Sequence, residues 1–501
     1  MTELAVLLGA SALGHAAARA SPIPPAPLMV TAGFIAAASG WISPDGVQEI
    51  LVLSLIVLLF AAGTELDPER VGHQRRAAIR VGAVQFGTLG LAGLAAALLL
   101  GFRGPSLAYL ALATAASSTL VGIRVLQRRR QLFEPFGRLV AGVLLFQDAV
   151  VILSLPLLGA GGDGLRGSLT VLAGSAGLAA AAWLLYRSLG SVIGDRVEVD
   201  REASLLGFLA LLFLFLGAGR ALGVPAVTAA FLAGFSLSGF PVSTVARAQL
   251  ASLTGFFSAL FFAALGAYLV VPTLAELAGG LALALVVIGI TPLVVGIVGE
   301  REGFSAGSAL TAGLLLSQTS EFSLVVGLQG LAAGLLAPDA FTVIVLATVV
   351  TMALTPLLSE EAVAWRVVRL HPFRKPSDAP APPSGHVALL GCGSNGSAVL
   401  DLLLTHGVPV TVVEEDPAVA DSLRRAGLAA VRGDASDPDV LAAAGVARAR
   451  VVVSTLPRAR DAERALEMAA GLPVLVRTFE AGEEAWVRDR GGRPISYAEA
   501  A

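Results

Sequence analysis

Charged residues are scarce in this chain of 501 residues, of which only 14% are charged and 55% are hydrophobic. A soluble protein of this size needs more charge on its surface, so the composition argues against an ordinary soluble protein. The net charge of −3 gives no indication of a nucleic-acid partner. The apolar bias is confined to residues 1–358, whereas residues 386–501 have the composition of a globular domain.

Cysteine and lysine are each present once. Cys392 has no second cysteine to pair with, which excludes an intrachain disulfide and argues against a cysteine metal cluster. Lys375 is the only lysine among 34 basic residues, so the apolar region contains none. His15 is the only histidine within the apolar spans. These absences leave few groups in the apolar region that could bind a haem, quinone or flavin.

The apolar region is divided into segments of the length that crosses a bilayer, about 20 residues as helix. The first segment opens with the acidic MTEL, which favours a transmembrane helix over a signal peptide. The sequence predicts thirteen spans: 2–18, 26–42, 47–64, 78–101, 105–126, 137–159, 168–189, 203–220, 222–239, 253–271, 279–299, 305–335 and 339–358.

Basic residues in the connecting loops predict the orientation, because cytoplasmic loops carry the excess of Lys and Arg. With the N-terminus outside, nineteen basic residues lie inside and three lie outside, namely Arg103, Arg166 and Arg220. The tail is therefore expected in the cytoplasm and the spans in the inner membrane. The arginine run at 128–130 is most simply part of this inside-positive pattern.

Few polar groups lie at membrane depth, and each costs free energy there. Asp148 follows Gln147 in the sixth span, and Glu321 follows Ser320 in the twelfth. The fifth span contains the hydroxyl run from Ser117 through Ser118 to Thr119. A purely structural role is open for each, since hydroxyls help helices pack and a carboxyl group can be satisfied by a neighbouring helix.

Taken together, these groups indicate a transport site. If spans 1–6 and 8–13 are two repeats, spans 5 and 12 are equivalent, and both carry a polar interruption. Matching interrupted helices are the best sequence indication of a binding site at the bilayer midplane. Burial disfavours a bare carboxylate charge, so Asp148 would take either a proton or a monovalent cation, with unwound carbonyls as further ligands.

Four motifs together resemble the Kef-type branch of the monovalent cation:proton antiporter-2 family: LLFAAGTELDPERV at 58–71, LLFQDAVVILSLPLL, FFSALFFAALGAYL at 256–269 and SQTSEFSLVV at 317–326. The resemblance implies an α-helical exchanger with inverted repeats, two crossing broken helices, an elevator motion and a homodimer. It implies that Asp148 binds the proton or the cation (K+ or Na+), beside Gln147. Ser118 and Thr119 match the first broken helix, and Ser320 and Glu321 the second.

The same resemblance bears on stoichiometry. Electrogenic relatives have two adjacent acids and a lysine on the helix before the second crossing. This chain has Gln147 in place of the first acid, and its eleventh span, GGLALALVVIGITPLVVGIVG, contains no lysine. Electroneutral exchange is therefore favoured. Glu65 and Asp67 match a further family motif, although a solvated cytoplasmic helix end, with Asp67 capping the next segment, is the favoured explanation.

The tail begins with a strand, a glycine turn, a helix and a second strand, which predicts an α/β Rossmann-like fold. Gly391, Gly393 and Gly396 form G-x-G-x-x-G, which permits a tight turn, close approach of a pyrophosphate and close helix packing. Ser394 and Asn395 lie within the motif, at a helix N-terminus that would face the phosphates. Glu414 ends the second strand, where a carboxylate binds ribose hydroxyls. An empty Rossmann-like fold is the alternative.

The segment GDAS at 433–436 resembles the nucleotide domains that regulate potassium conductance, called RCK domains, and the resemblance places Asp434 near the nucleotide. Glu414 favours a free ribose 2′-hydroxyl, hence NAD(H) or an adenine nucleotide such as AMP or ATP, as a regulatory ligand without a redox role. RPISY is expected to form a sixth strand, and the sequence given leaves no room for a C-terminal ligand subdomain. Residues that would bind glutathione cannot be matched.

The sequence thus predicts a membrane exchanger at 1–370, a proline-rich linker at 371–385 and a regulatory nucleotide domain at 386–501. A ligand-gated potassium channel is the main alternative, but no TVGYG-like filter occurs. A membrane oxidoreductase using NAD is less favoured, because the spans offer only His15 and the tail no evident catalytic set. An antiporter rather than an enzyme is expected.

Overall fold

The computed structural model describes residues 2–42, 44–65, 74–129, 131–132, 134–159, 164–192, 201–238, 244–360, 363, 382–383, 385–469 and 471–496. The chain forms two compact units. The first consists of Met1–Ile123, Val140–Val294 and Leu314–Glu360, and the second of Arg124–Leu139, Val295–Gly313 and Glu361–Ala501.

Fifteen helices precede the first strand in the described part of the chain. They are α1 Thr2–Ala20, α2 Pro25–Ala38, α3 Pro44–Glu65, α4 Arg75–Leu99, α5 Ser106–Ala115, α6 Thr119–Arg128, α7 Pro135–Gly159, α8 Gly164–Val192, α9 Arg201–Ala221, α10 Ala226–Ser238, α11 Thr244–Tyr268, α12 Leu274–Arg301, α13 Ala306–Leu315, α14 Glu321–Ala332 and α15 Pro338–Leu358. Each of the thirteen predicted spans overlaps one of these helices or two in succession. Among the described residues, eight stretches are long and apolar enough to cross a membrane.

The two predicted interruptions are breaks in the helices. Helix α5 ends at Ala115 and α6 begins at Thr119, with Ala116 in an extended conformation between them. Helix α13 ends at Leu315 and α14 begins at Glu321, with Ser320 extended before it. Ser320 caps α14, because its hydroxyl accepts a hydrogen bond from the backbone N–H of Phe322 at 3.0 Å. Polar residues that compete for backbone groups therefore end a helix at both places.

The first unit depends on glycines where helices cross closely. A Cβ atom on Gly234 of α10 would lie 1.9 Å from the carbonyl oxygen of Phe60 in α3. A Cβ atom on Gly266 of α11 would lie 1.9 Å from the carbonyl oxygen of Val30 in α2. Only a residue without a side chain permits such contact between helix backbones, as is common in membrane proteins. The apolar cluster around these crossings includes Phe231, Phe261 and Leu59.

The tail, in the second unit, is a parallel six-stranded sheet in the order β3-β2-β1-β4-β5-β6. Its elements are β1 Val387–Leu390, α16 Ser394–Thr405, β2 Val410–Glu414, α17 Pro417–Arg425, β3 Ala429–Arg432, α18 Pro438–Ala443, β4 Val451–Ser454, α19 Glu463–Met468, β5 Val474–Thr478, α20 Ala481–Asp489 and β6 Arg493–Ser496. Strand β1 pairs with both β2 and β4, so the strand order reverses beside it. Ligands of doubly wound sheets bind at that point, beyond the carboxyl ends of the strands. The Rossmann-like tail and its sixth strand are confirmed.

Some sequence predictions fall on residues outside the described ranges. They include Asp67, Arg130 and the linker at 371–385 apart from Pro382, Pro383 and Gly385. The domain boundaries at 370 and 385 therefore stay a prediction.

Candidate ion-exchange site and nucleotide fold

Asp148 lies within α7 and is 6% exposed. Its Oδ2 atom accepts a hydrogen bond from the hydroxyl of Thr119 at 2.6 Å. Its Oδ1 atom is buried and has no hydrogen-bond partner. A buried carboxylate oxygen without a donor is costly, so this atom is the strongest candidate in the unit for binding a cation or a proton.

Glu321 is held by the same helix break. The hydroxyl of Ser118 donates to its Oε2 atom at 2.6 Å, and the backbone N–H of Leu120 to its Oε1 atom at 3.3 Å. Leu120 lies in the first turn of α6, so the carboxylate lies at a helix N-terminus, where the dipole favours negative charge. The structure thus brings together one carboxylate from α7, another from α14 and the hydroxyls between α5 and α6.

Gln147 ties α7 to the break. Its Oε1 atom accepts a hydrogen bond from the backbone N–H of Ser117 at 2.9 Å. The Ser117 hydroxyl donates to the carbonyl of Leu316 at 2.7 Å, and the Gln318 amide donates to the carbonyl of Ser118 at 3.3 Å. The two breaks are therefore joined to each other by side chains. Two backbone carbonyls that a cation could use, those of Leu316 and Ser118, are engaged in these bonds, which leaves side-chain oxygens as the more available ligands.

The sequence analysis missed a second layer of polar groups around the breaks. Gln85 of α4 donates from Nε2 to the hydroxyl of Ser117 at 3.0 Å. Thr319 donates to the hydroxyl of Thr348 at 2.9 Å, and its backbone N–H to Thr351 at 3.1 Å. The sequence signal for Gln85 is an amide residue within an apolar span; in the structure its side chain is fully buried. The threonines of α15 give no such signal, because helical threonine usually bonds to its own backbone.

Two carboxyl groups are held by adjacent residues of one helix break, Glu321 by Ser118 and Asp148 by Thr119. Like charges placed in this way repel each other, and a cation bound at Asp148 would relieve the repulsion. Among the described residues, no group of three or more His, Cys, Asp or Glu side chains could hold a resident metal ion.

The glycine turn of the tail has the geometry that a dinucleotide requires. Gly391 has a φ of 85°, in the left-handed region that favours glycine. A Cβ atom on Gly396 would lie 2.3 Å from the carbonyl oxygen of Gly391, so helix α16 packs closely on the turn. A Cβ atom on Gly393 would meet nothing within 4 Å, which leaves this position open to a pyrophosphate. The residues present fit a bound dinucleotide or adenine nucleotide.

The remaining nucleotide candidates differ in their surroundings. Glu414 is 8% exposed; its Oε2 atom accepts from the backbone N–H of Cys392 at 2.6 Å and its Oε1 atom from that of Asp416 at 2.8 Å. Burial raises the pKa of the Glu414 carboxyl, an effect that these N–H donors oppose. Asp434 accepts a hydrogen bond from the backbone N–H of Ser436 at 2.8 Å. Asn395 is exposed, and the side chain of Ser394 is outside the described part of the chain.

Comparison with known proteins agrees with both regions. The family described as sodium/hydrogen exchanger, transmembrane matches residues 4–360, and the TrkA-N domain family matches residues 387–484. In solved structures, the sodium proton antiporter MjNhaP1 from Methanocaldococcus jannaschii is similar, with a TM-score of 0.54 and 21% identity. The similarity covers 73% of this chain and 99% of that one, and it supports the fold.

Curated relatives extend the similarity to the tail. The glutathione-regulated potassium-efflux system protein KefC from Salmonella typhimurium is 30% identical over 430 residues, covering 82% of this chain and 68% of that protein. The protein of the same name from Salmonella heidelberg is 30% identical over 434 residues, with the same coverage. The chain therefore belongs to the transmembrane sodium/hydrogen exchanger family, and it is a multi-pass, Kef-type monovalent cation:proton antiporter with a C-terminal cytoplasmic TrkA-N domain, not an enzyme.

Proposed function

We propose that this antiporter exchanges K+ or Na+ for H+ at Asp148, and that K+ is the physiological cation. The observation that carries the proposal is the buried Oδ1 atom of Asp148, which has no hydrogen-bond partner although Oδ2 is held by Thr119. A carboxylate oxygen is a strong ligand for a hard monovalent cation and equally a proton acceptor. One group that takes either but not both is the minimum required for coupled exchange. The potassium-efflux relatives support the choice of K+.

Exchange at one carboxylate favours an electroneutral cycle. Gln147 carries no charge, and its carbonyl is committed to the backbone of Ser117. Only one proton would therefore be released at this position for each cation bound. Alternating access follows in this proposal from an elevator movement of the helices that carry the breaks, within a homodimer in the lipid bilayer. The N-terminus lies outside, as the distribution of arginine indicates.

A regulatory nucleotide binds the glycine turn of the tail in this proposal. Gly393 leaves room for phosphate, and Glu414 lies where a ribose hydroxyl would be recognised. NAD(H) and adenine nucleotides such as AMP or ATP are the proposed ligands. Bound there, the nucleotide contributes phosphate charge and a ribose diol; the chain supplies backbone N–H groups and the Glu414 carboxylate.

The experiment is proton movement in proteoliposomes under an imposed pH gradient, reported by a pH-sensitive dye, after addition of K+ or Na+. Wild type should dissipate the gradient only when a transported cation is present. Asp148→Asn should abolish this movement, because the amide accepts neither the proton nor the cation charge. Asp339→Asn is the matched control, since it removes a carboxylate from an exposed helix start and retains a capping oxygen for Ala340.

Two outcomes would overturn the proposal. Proton movement that persists in Asp148→Asn would remove Asp148 from the exchange step. Cation movement without protons in both proteins would favour the channel alternative. A membrane potential clamped at different values should leave the wild-type rate unchanged if exchange is electroneutral.

A further inference from the structure

The second unit contains more than the nucleotide fold. It also includes Arg124–Leu139 and Val295–Gly313, which are short stretches next to the helices of the exchange site. Two consecutive tail residues just after strand β2, Glu415 and Asp416, contact these stretches. Together with Glu414, the last residue of β2, they are called the acidic turn below.

Asp416 joins the acidic turn to helix α7. Its Oδ2 atom lies 3.1 Å from Nη2 of Arg138. Its Oδ1 atom caps helix α17 by accepting the backbone N–H of Ala418 at 2.9 Å. The side chain of Asp416 is 11% exposed and that of Arg138 is 41% exposed, so solvent weakens the ion pair without removing it. Because the cap fixes the carboxylate, the ion pair has a defined direction.

Glu415 joins the acidic turn to helix α13. The hydroxyl of Ser308, in the first turn of α13, donates a hydrogen bond to its carboxylate. The backbone at Gly303, just before α13, also lies close to the tail, because a Cβ atom there would be 3.1 Å from Pro417. Two separate helices, α7 and α13, therefore begin beside one turn of the nucleotide fold.

Glu414 connects the acidic turn to the glycine turn. Its two oxygens accept N–H groups from both sides, Cys392 of the glycine turn and Asp416 of the acidic turn. A continuous series of hydrogen bonds and one ion pair thus leads from Cys392 through Glu414 and Asp416 to Arg138. A ribose that donates to Glu414 competes for the same carboxylate and alters its bond to the Asp416 backbone.

The helices at the other end of this series lead to the exchange site. Arg138 lies in the first turn of α7, the helix that carries Asp148. Helix α13 ends at the break formed by residues 316–320, which is followed by Glu321. A helix transmits displacement along its axis because its interior is closely packed and hydrogen-bonded.

We infer that the acidic turn is a docking contact through which nucleotide occupancy at Glu414 is transmitted to helices α7 and α13. Asp416 and Arg138 are positioning residues in this scheme and touch neither the cation nor the nucleotide. The inference rests on the proposed regulatory nucleotide and specifies how its binding reaches the exchange site.

The test uses the full-length protein in proteoliposomes, with exchange measured at saturating and zero NADH and, separately, AMP. Asp416→Asn keeps the capping oxygen of α17 but removes the charge that pairs with Arg138. Arg138→Gln removes the other partner. In each variant, the ratio of exchange rates with and without nucleotide should move from its wild-type value to about one. Nucleotide affinity, measured by calorimetry on the same preparations, should stay within about twofold of wild type, a difference under about 0.5 kcal/mol.

Controls separate coupling from general damage. Arg128→Gln removes an exposed arginine from the same unit and should retain the wild-type nucleotide response. The double variant Asp416→Asn/Arg138→Gln should be no worse than either single variant, as expected for two partners in one interaction.

The inference and its premise fail in different ways. An unchanged nucleotide response in both single variants overturns the docking contact, even though nucleotide binds. Wild-type protein that binds nucleotide without a change in rate also overturns it. Wild-type protein that binds neither NADH nor AMP overturns the proposed regulatory ligand, and the docking inference with it.

Discussion

Buried carboxylates occur in both regions of the molecule, but their oxygens are satisfied differently. Glu414 in the tail has both oxygens engaged by backbone N–H groups. Asp148 in the helical region has one oxygen held by a hydroxyl and the other without a partner. A carboxylate whose two oxygens each accept a backbone N–H joins two backbone segments, and a ribose hydroxyl can donate only to its remaining lone pairs. A carboxylate with one oxygen that has no donor can take a cation or a proton there directly. The difference in hydrogen bonding distinguishes a carboxylate that links two turns from a candidate exchange site, although both are buried.

Among the changes that test this comparison, removing the hydroxyl that holds Asp148 should have the largest effect, a slower rate of exchange. Thr119→Val deletes the 2.6 Å hydrogen bond at nearly constant volume and leaves both oxygens without a protein donor. A hydrogen bond to a charged group contributes about 1.5–3 kcal/mol, so exchange should slow by about 10- to 100-fold. Dye-reported exchange in proteoliposomes measures the change.

Thr119→Ser is the control for this prediction, because it keeps a hydroxyl at the start of α6. It should retain most of the wild-type rate. Equal rates for the valine and serine variants would mean that the hydroxyl does not orient Asp148.

Adding a side chain within the glycine turn should have the next largest effect. The change should affect the stability and nucleotide affinity of the tail and leave ion exchange without nucleotide unchanged. Gly396→Ala places a methyl group against the carbonyl of Gly391, which the 2.3 Å approach does not permit. Overpacking of this kind costs about 1–3 kcal/mol, so thermal unfolding of the tail should begin at a lower temperature. Calorimetry should also show weaker binding of NADH and AMP.

Gly393→Ala is the matched variant, because open space surrounds a Cβ atom at that position. It should unfold at the wild-type temperature and lose affinity only for a ligand that approaches the turn. If both alanine variants unfold at the same temperature, then Gly396 is not required for packing in a way that Gly393 is not, and the distinction between them is wrong.

The sequence is sufficient to predict the elements with strong local signals. Apolar length predicts the helices, the hydroxyl-rich runs at Ser117 and Ser320 predict the breaks, and the glycine spacing predicts the turn after β1. Each depends on neighbouring residues and on rules for backbone conformation. The contact of Gln85 with Ser117 could not be predicted, because it joins α4 to the break between α5 and α6 through tertiary packing.

The acidic turn marks the same limit in the tail. The position of Glu414 at the end of a strand predicts a ribose-binding acid, and the structure adds that three successive acids bond to different partners. Glu414 bonds to the glycine turn, Glu415 accepts the hydroxyl of Ser308, and Asp416 pairs with Arg138. Ser308 and Arg138 are far from this turn in sequence, so no local pattern connects them.

Lowering the pH should stabilise the tail against unfolding, by less than Gly396→Ala destabilises it. Burial, followed by the charges of Asp434, Glu134 and Glu414, raises the pKa of Glu415 well above its usual value, although Ser308 opposes the shift. A raised pKa in the folded state means tighter proton binding than in the unfolded chain. The resulting stabilisation is full below the unfolded pKa, near 4.5, and is lost as pH rises through the folded pKa.

The unfolding temperature of the tail should therefore rise between pH 7 and pH 5, and the rise should shrink in Glu415→Gln. Differential scanning calorimetry over this range measures it. Glu467→Gln, at a side chain that is 57% exposed, should keep the wild-type pH dependence. An identical profile for Glu415→Gln would show that another group titrates.

The last and smallest expected effect is on the rate at which a maleimide labels Cys392, the thiol in the glycine turn. This measurement does not depend on ion exchange. Burial raises the pKa of Cys392 to about 11, and the Glu414 charge adds to the shift. The thiolate is the reactive form, so at pH 8 only about one thiol in a thousand is available to a maleimide. Labelling of the native protein should be slow at pH 8 and accelerate about tenfold per pH unit up to pH 10. In guanidinium the same cysteine should react rapidly at pH 8, because its pKa returns to the ordinary range.

Rapid labelling of the native protein at pH 8 would mean that the bond from Cys392 to Glu414 opens readily. One oxygen of Glu414 would then lack a fixed N–H donor, as Oδ1 of Asp148 does, and the contrast between the two carboxylates would be lost.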